Sequence, residues 1–270
     1  MSPPKDRTLS TLPFFNYPYT YILGNESLEF CELEKDLGIK VTEKLIWSHQ
    51  HSDLLSTATQ RFNLLRRTCH FVKNHKKKRA LYLTMIRSIF EHGSVLWSPS
   101  SQSAISNFEA IQKRAVKWIM NEQFYAYSCD YYTQKLIDLD ILPMAQKFIL
   151  NDMIMFYKIL NKLVPVSFPT YITNRSNTRA SSSGGILSID PLLVHHPIKN
   201  LFGRSFFPRC ISTWNHLPSE TKDSENIDTF KLNLIKYLWN IVICNAENSR
   251  ESSDSEPDSD TEPDSDTEPD

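Results

Sequence analysis

The sequence predicts a mainly α-helical protein with a small N-terminal β-hairpin and a disordered acidic C-terminal tail. Apolar residues recur at one-turn intervals through most of residues 46–163, which indicates amphipathic helices. Alternating apolar residues flank the turn pair Gly24-Asn25, a pattern typical of a hairpin. The chain ends in the repeats SDSEPD, SDTEPD and SDTEPD, and no apolar residue follows Ala246. This last stretch therefore cannot offset its conformational entropy by burial.

The order of these signals divides the chain into six segments. Three prolines mark a disordered start, and a Ser/Gly run at 181–185 is typical of a linker. The predicted segments are 1–16 (disordered), 17–45 (β-hairpin), 46–163 (helical domain), 164–200 (loop or linker), 201–244 (C-terminal element) and 245–270 (disordered acidic repeat).

The apolar spacing also places individual elements within these segments. A short strand is expected at 35–41, and helix signals dominate after it. Gly93 closes one amphipathic helix, and a short link at 98–101 leads into the next, so we expect the two to pack as an antiparallel pair. Pro143 stands where a first-turn proline is tolerated. The predicted helices cover 51–69, two stretches between 73 and 120, 131–139, 143–163 and a last stretch after Asp228.

Composition and charge restrict the class of protein. The net charge of −1 conceals an asymmetry, because ten of the 31 acidic residues lie in 251–270. Residues 1–250 therefore contain 21 acidic residues and all 30 Lys and Arg, which gives them a net charge of +9. Five widely spaced cysteines predict no disulfide framework and favour an intracellular site, in the nucleus or the cytoplasm. We expect no secretory signal and no membrane contact, since no segment approaches the ~20 apolar residues of a spanning helix.

A dense basic run feeding the central helices is the strongest functional signal. Four adjacent cations, Lys76 to Arg79, repel one another in water, and a polyanion whose counterions are released on binding is a natural partner. A solvated helix face is the simpler alternative for any single cluster of charges. The predicted nucleic-acid-binding residues are Arg66, Arg67, Lys73, Lys76, Lys77, Lys78, Arg79, Lys113, Arg114 and Lys117.

No constellation in the sequence predicts a catalytic residue, a metal site or a cofactor. Phosphoryl transfer needs metal ions held by paired carboxylates, but Asp138 and Asp140 lie two positions apart at a helix end and face different directions. His49 and His51 have the same spacing and no third ligand. The tryptophans at 97, 118 and 214 lie in apolar patterns, which favours a core role over stacking on bases.

A series of short motifs occurs in order along residues 19–238. They are Lys35-Asp36-Leu37-Gly38-Ile39 with Trp47-Ser48-His49, Leu81-Tyr82 through Arg87-Ser88, Glu91-His92-Gly93, Val95-Leu96-Trp97-Ser98-Pro99, Phe108 to Ala115, Tyr157 to Asn161, and Trp214 to Pro218 with Phe230-Lys231. In this order they resemble the reverse transcriptases of non-LTR retrotransposons, the LINE-type elements of the jockey-like and related groups. His92 stands where that family usually has Tyr.

The resemblance implies that the chain corresponds to the thumb and the region beyond it, with 17–45 as a remnant of the palm edge. The helical body would then be thumb-like, and the parent enzyme an RNA-directed DNA polymerase with an endonuclease domain. The family's catalytic aspartates are expected upstream of Tyr19, and this sequence has no Asp-Asp pair. The resemblance thus implies a non-catalytic fragment or host-derived relative that binds RNA or DNA non-specifically through phosphates.

Two alternatives stay open at this point. The chain could be an adaptor whose helical body packs on a protein, such as a palm-containing polypeptide in trans, and whose acidic tail binds a basic protein. It could equally be a translated pseudogene product without function. The tail resembles a polyphosphate and is expected to compete for the basic run in cis. Ser253, Ser259 and Ser265 lie in acidic surroundings and are candidate phosphorylation sites.

Overall fold

The computed structural model describes residues 22–27, 31–122, 129–175, 186–189 and 199–253. Most of these residues are helical and few are in strands, which confirms the mainly α class and the small antiparallel sheet near the N-terminus. Residues 1–16, predicted to be disordered, lie outside the described residues.

The elements in chain order are β1 (Ile22–Leu23), β2 (Glu26–Ser27), β3 (Leu33–Asp36), β4 (Ile39–Thr42), α1 (Ser48–Thr68), α2 (His75–Tyr82), a π-helical turn (Leu83–Arg87), α3 (Ser88–Glu91), α4 (Ser94–Trp97), α5 (Gln102–Met120), α6 (Cys129–Asp138), α7 (Met144–Leu160), β5 (Ile172–Arg175), β6 (Ile186–Ile189), α8 (Lys199–Arg204), α9 (Phe206–His216), α10 (Ser219–Lys222) and α11 (Ile227–Ser253).

Two hairpins begin the described chain. β1 and β2 pair antiparallel around the predicted turn at Gly24-Asn25. The prediction of one strand at 35–41 is wrong, because the chain reverses at Leu37 and Gly38 and β3 pairs with β4. Both turn residues have positive φ, +47° and +86°, the combination of a type I′ turn that matches the twist of paired strands. His92 Nε2 donates to the carbonyl oxygen of Leu37 at 3.1 Å and ties this turn to the helices.

The β3–β4 hairpin is held against the helical body by one hydrogen bond and one apolar contact. The backbone N–H of Lys40 donates to the buried side chain of Gln50 at 2.8 Å. Ile39 is buried, and its Cδ1 atom would lie only 2.4 Å from a Cβ added at Gly93. Gly93 also has a φ of +62°, so its backbone and its neighbour both favour glycine. The glycine predicted to end a helix therefore also makes room for the hairpin.

α2, the π-helical turn and α3 form one continuous helix that lies antiparallel to α5. Lys78, near the start of α2, donates to the carbonyl oxygen of Trp118 near the end of α5 at 2.8 Å. One turn later along α2, Tyr82 donates to Gln112, which lies nearer the start of α5, at 3.0 Å. The contacts thus proceed in opposite directions along the two helices, which confirms the predicted antiparallel pair.

The first core contains the aromatic side chains that α3, α4, α5 and α7 bring together. Trp97 is fully buried and stacks on Phe108, with ring centroids 5.8 Å apart. Phe148 meets Trp97 edge-on at 5.7 Å, and Phe90 meets Phe108 at 5.1 Å. Trp97 Nε1 donates to the carbonyl oxygen of His92 at 3.0 Å, so the buried indole is also satisfied. The core role predicted for Trp97 is confirmed.

The second core joins α7 to the C-terminal helices α9 and α11. Tyr157 stacks on Phe230 with ring centroids 4.3 Å apart, and its hydroxyl donates to the carbonyl oxygen of Ser224 at 2.8 Å. Phe156 contacts Trp214 at 5.4 Å, and both side chains are buried. α7 contributes residues to both cores. The predicted C-terminal element therefore packs directly on the helical domain.

Residues 164–200, predicted to be a loop or linker, contain a third hairpin. β5 pairs antiparallel with β6, from Ile172 opposite Ile189 to Arg175 opposite Ile186. β-Branched isoleucines favour extended backbone, and Ile172 is buried in the second core, which gives this strand an anchor. The Ser/Gly run at 181–185 lies outside the described residues.

The last helix is longer than predicted. α11 continues to Ser253, so the prediction of disorder from residue 245 is wrong for 245–253. These residues include no apolar side chain larger than that of Ala246, but they contain neither Gly nor Pro. A helix already nucleated by buried Leu234 and Leu238 can propagate through them at little cost. The rest of the predicted disordered tail, 254–270, lies outside the described residues.

Over the ranges given above, no helix combines the length and the apolar character that are needed to cross a membrane.

Candidate nucleic-acid interface

The basic run lies where α1 ends and α2 begins. No Asp or Glu occurs between Asp53 and Glu91, so the whole connection between these helices lacks negative side chains. α1 carries Arg66 and Arg67 in its last turn, and both are exposed. A short connection leads from α1 to Asn74, whose side chain accepts from the backbone N–H of Lys77 and caps α2. The cap begins the helix directly at the lysine run.

α5 adds a cation to the same face. Arg114 Nη2 donates to Asn63 Oδ1 on α1 at 3.1 Å. The guanidinium groups of Arg66 and Arg114 lie 6.0 Å and 5.6 Å from the centre of the Phe62 ring, so both contact the same aromatic side chain. Tertiary packing thus brings Arg114 beside the end of α1.

We define the basic surface as the exposed predicted cations of α1, the α1–α2 connection, α2 and this part of α5. Its members are Arg66, Arg67, Lys73, Lys76, Lys77 and Arg114. Among the residues that the structure describes, no carboxylate oxygen lies within 4.0 Å of any of the six. Like charges held together without counter-charges raise the local positive potential, and phosphates can lower it.

Lys78 does not belong to this surface, so its prediction as a phosphate contact is wrong. It is only 4% exposed, and its ammonium donates to the carbonyl oxygen of Trp118 at 2.8 Å and to Asn121 Oδ1. The same ammonium lies 5.0 Å from the centre of the Trp118 ring. Burial lowers the pKa of Lys78. The helical period turns this one lysine of the run inwards, where it fastens α2 to the end of α5.

Arg79 is likewise engaged in holding the fold. Its Nε donates to the carbonyl oxygen of Leu139, and its Nη2 donates to the carbonyl oxygen of Asp140 at 2.8 Å. The Asp140 carboxylate lies 3.3 Å from the same Nη2 atom. Asp140 has a φ of +47°, so Arg79 supports a left-handed turn that ends α6. The charge of Arg79 is therefore neutralised in place, which argues against its predicted role in binding nucleic acid.

The other two predicted residues of α5, Lys113 and Lys117, are not members of the basic surface. The ammonium of Lys113 is exposed but lies 5.1 Å from the centre of the Tyr132 ring, on the side of α6. Lys117 is half-buried and already has an interaction partner. Of the candidate phosphorylation sites, Ser253 is the last residue of α11, and Ser259 and Ser265 lie outside the described residues.

Lys77 and Lys78 are neighbouring lysines that allow the binding role and the structural role to be tested separately. We expect Lys78→Met to lower the free energy of unfolding by about 1–3 kcal/mol, because two acceptors lose the buried ammonium that donates to them. Lys77→Met should leave stability unchanged and weaken nucleic-acid binding. Urea unfolding and a filter-binding titration on both variants measure the two effects. A Lys78 variant that unfolds like the wild-type protein and binds less nucleic acid would contradict the structural role.

The sequence did not reveal a buried polar network that joins α2, the π-helical turn and α5. Arg87 is 3% exposed and donates to Gln112 Oε1 and to the carbonyl oxygen of Leu142, both at 2.9 Å. Gln112 in turn donates to Glu109 at 3.1 Å and receives the hydroxyl of Tyr82 at 3.0 Å. One signal was present, since Gln112 occupies a position in the apolar stripe of α5. A polar residue in such a stripe requires buried partners.

A buried ion pair joins α7 to α9. Arg209 Nε and Nη2 donate to the two carboxylate oxygens of Asp152 at 2.7 Å and 3.0 Å. Arg209 also donates to the carbonyl oxygens of Val95 and Arg204. Burial raises the pKa of the Asp152 carboxyl, and the Arg209 guanidinium partly offsets that rise. Arg209 thus links α4, α7 and α9 through one side chain.

The residues considered for chemistry have structural contacts instead. His51 Nε2 donates to the carbonyl oxygen of Trp97 at 2.8 Å, and burial lowers the pKa of His51. Asp138 accepts from Gln134 at 3.0 Å within α6. Across the described residues, no three His, Cys, Asp or Glu side chains come together as a group that could hold a metal ion.

No known protein family, curated protein or solved structure matches the chain. The resemblance to retrotransposon reverse transcriptases therefore stays a prediction.

Proposed function

We propose that the chain is a non-catalytic relative of the post-palm region of a retrotransposon reverse transcriptase that binds nucleic acid through phosphates. The observation that carries the proposal is the basic surface itself. Six exposed cations from α1, the α1–α2 connection, α2 and α5 have no described carboxylate oxygen within 4.0 Å, and two of them, Arg66 and Arg114, meet at the Phe62 ring. Interactions of this kind fix the position of a nucleic acid but do not distinguish its sequence.

The motif residues support the family relationship in a second way. Tyr82, Arg87, Glu109 and Gln112 all belong to the ordered motifs, and all four meet in one buried network. A relative that kept this network would need side chains able to make the same hydrogen bonds at these positions. The motifs are thus explained as the requirements of a helical body, which fits a chain that retained the fold without the polymerase chemistry.

The salt dependence of binding tests this proposal. We expect binding to duplex DNA and to RNA–DNA hybrid to weaken steeply as salt rises, because each phosphate that the protein neutralises releases counterions. The variant Arg66→Gln/Arg67→Gln/Lys73→Gln/Lys77→Gln should bind more weakly. Its slope of log K against log salt should be shallower by up to about 0.9 for each phosphate of B-DNA that is no longer neutralised. Fluorescence anisotropy across a salt series gives both quantities.

A matched variant controls for net charge. Lys35→Gln/Lys44→Gln/Lys162→Gln/Lys236→Gln removes the same number of exposed lysines or arginines from the β3–β4 hairpin, the end of α7 and α11. It should keep the wild-type slope. Equal slopes for the two variants would show that overall charge, rather than this surface, determines binding. Binding that does not depend on salt would refute the proposal.

An adaptor function is the second candidate, favoured by exposed apolar side chains around the β3–β4 hairpin. Leu37 is 85% exposed at the tip of the turn, and Leu45 and Ile46 are about half exposed just after the hairpin. Exposed apolar side chains at both ends of one hairpin can serve protein contacts, including a polypeptide that would supply a palm in trans. The same salt titration separates the candidates, since an adaptor need not bind nucleic acid at low salt.

A further inference from the structure

Phe71 stands out among the aromatic side chains of the described residues. It is 69% exposed, and every other Phe, Tyr and Trp whose burial the structure describes is buried or partly buried. Removing an aromatic side chain of this size from water is favourable, so an exposed ring is available to a ligand that can cover it. Phe71 lies in the connection between α1 and α2, and along the chain it stands between the basic residues Arg66 and Arg67 and the basic residue Lys73.

The chain holds Phe71 at the tip of a tight turn. The backbone N–H of Val72 donates to the carbonyl oxygen of Cys69 at 3.1 Å, which places His70 and Phe71 at the two central positions. Cys69 packs against the first core and Val72 is half-buried, so both ends of the turn are anchored. The turn therefore directs Phe71 away from the body of the protein.

His70 supports the exposed ring. Its Nδ1 donates to the carbonyl oxygen of Arg67 at 3.0 Å, and its ring meets the Phe71 ring edge-on with centroids 5.8 Å apart. In this T-shaped arrangement His70 meets at most one face of the Phe71 ring, so at least one face is free of His70. Arg67 precedes the turn and Lys73 follows it, so cations flank the aromatic ring along the chain.

We infer that Phe71 is a stacking site for an unpaired nucleobase, and that the basic surface prefers single-stranded nucleic acid or a strand end over a continuous duplex. This inference rests on the proposed function and adds the class of ligand to it. Cations that follow a phosphate backbone, with an aromatic ring that takes up a base, are the two elements of single-strand binding sites. Bases within a duplex are already stacked on one another and cannot use the ring.

Affinity for matched oligonucleotides tests the inference. We expect Phe71→Ala to weaken binding to single-stranded RNA and single-stranded DNA about 10-fold, and to change binding to a duplex of equal length by less than about 2-fold. The slope of log K against log salt should not change, because stacking releases no phosphate counterions. Phe71→Trp should restore wild-type affinity. Leu64→Ala, an exposed apolar residue one turn before Arg67, is the matched control and should bind as the wild-type protein does.

Three results would overturn the inference while leaving phosphate binding intact. They are an equal loss of affinity on single strands and duplex, no loss at all with Phe71→Ala, and an equal loss with Leu64→Ala. A membrane surface is the competing ligand, because an aromatic ring among cations also suits anionic lipid. Co-sedimentation with phosphatidylcholine–phosphatidylserine vesicles that depends on Phe71, while binding of single strands does not, would assign the ring to lipid. Wild-type protein that binds no nucleic acid would instead refute the proposed function and this inference together.

Discussion

Arg209→Met is expected to lower the free energy of unfolding by about 3–5 kcal/mol, since it leaves the buried carboxylate of Asp152 without its partner. Asp152 is 6% exposed and receives two hydrogen bonds from Arg209. The substitution also removes a donor from the carbonyl oxygen of Val95. A loss of this size is a large share of the roughly 5–15 kcal/mol that stabilises a typical domain. Urea unfolding at neutral pH measures it.

The pH dependence of this loss identifies its cause. Burial already raises the pKa of Asp152, and removing Arg209 should raise it further. Between the unfolded pKa of about 3.9 and the raised folded pKa, the folded state holds a proton that the unfolded state has released. Stability of the variant should therefore fall as pH rises through this window, and the penalty should be largest above the window. The difference in unfolding free energy between the variant and the wild-type protein should become smaller towards pH ~4.

Two further variants separate the effect of the charge from that of side-chain packing. Arg209→Met/Asp152→Asn should be more stable than Arg209→Met at neutral pH, because an amide is less costly to bury than an unpaired carboxylate. Arg204→Met, at an exposed position on α8, should change stability by less than about 0.5 kcal/mol. If the double variant were no more stable than Arg209→Met at any pH, the buried charge would not be the cause.

Glu109→Ala is expected to cost about 3 kcal/mol of unfolding free energy. The carboxylate of Glu109 accepts from Gln112 Nε2 at 3.1 Å, from the hydroxyl of Tyr132 and from the backbone N–H of Met144 at 2.6 Å. Met144 is the first residue of α7, so Glu109 on α5 caps a neighbouring helix where a negative charge is favourable. Removing it leaves donors of α5, α6 and α7 without an acceptor at once.

The conservative variant Glu109→Gln should lose clearly less stability, because its amide oxygen can still accept the two hydrogen bonds that Gln112 and Tyr132 donate to one carboxylate oxygen. Asn107→Ala, an exposed change on the same helix, should alter stability by less than about 0.5 kcal/mol. Urea unfolding of all three variants gives the comparison. An alanine variant at Glu109 that is no less stable than the Asn107→Ala control would mean that Glu109 does not cap α7.

The helices could be predicted because their signals are local. Asn74 and Ser101 accept hydrogen bonds from the first turns of α2 and α5, and Gly93 ends the long helix with a left-handed backbone. Each of these effects involves residues a few positions apart. One error arose at the end of α11, where polar residues extend a helix that is already formed. Another arose at the turn at Leu37 and Gly38, where a run of apolar and polar residues fits either one strand or a hairpin.

The candidate site could be predicted only in part. The sequence indicated a basic run, and Arg66, Arg67, Lys73, Lys76 and Lys77 are indeed exposed. Nothing in it indicated that tertiary packing would bring Arg114 beside α1. The exposure of Phe71 was equally hidden, because an aromatic residue between two helices is more often part of a core. Phe71 is exposed because it lies in a turn whose two ends, Cys69 and Val72, are held by the body of the protein.

By itself the sequence determined the helical class, most of the helix ends and the position of the basic run, because periodicity, capping and charge are properties of neighbouring residues. Only the tertiary structure decided which cations are free. Lys77 and Lys78 are chemically identical neighbours, yet one faces solvent and the other bonds to Trp118 and Asn121. The helical period separates their directions by about 100°, but the partner helix that covers one direction comes from residues 40 positions away.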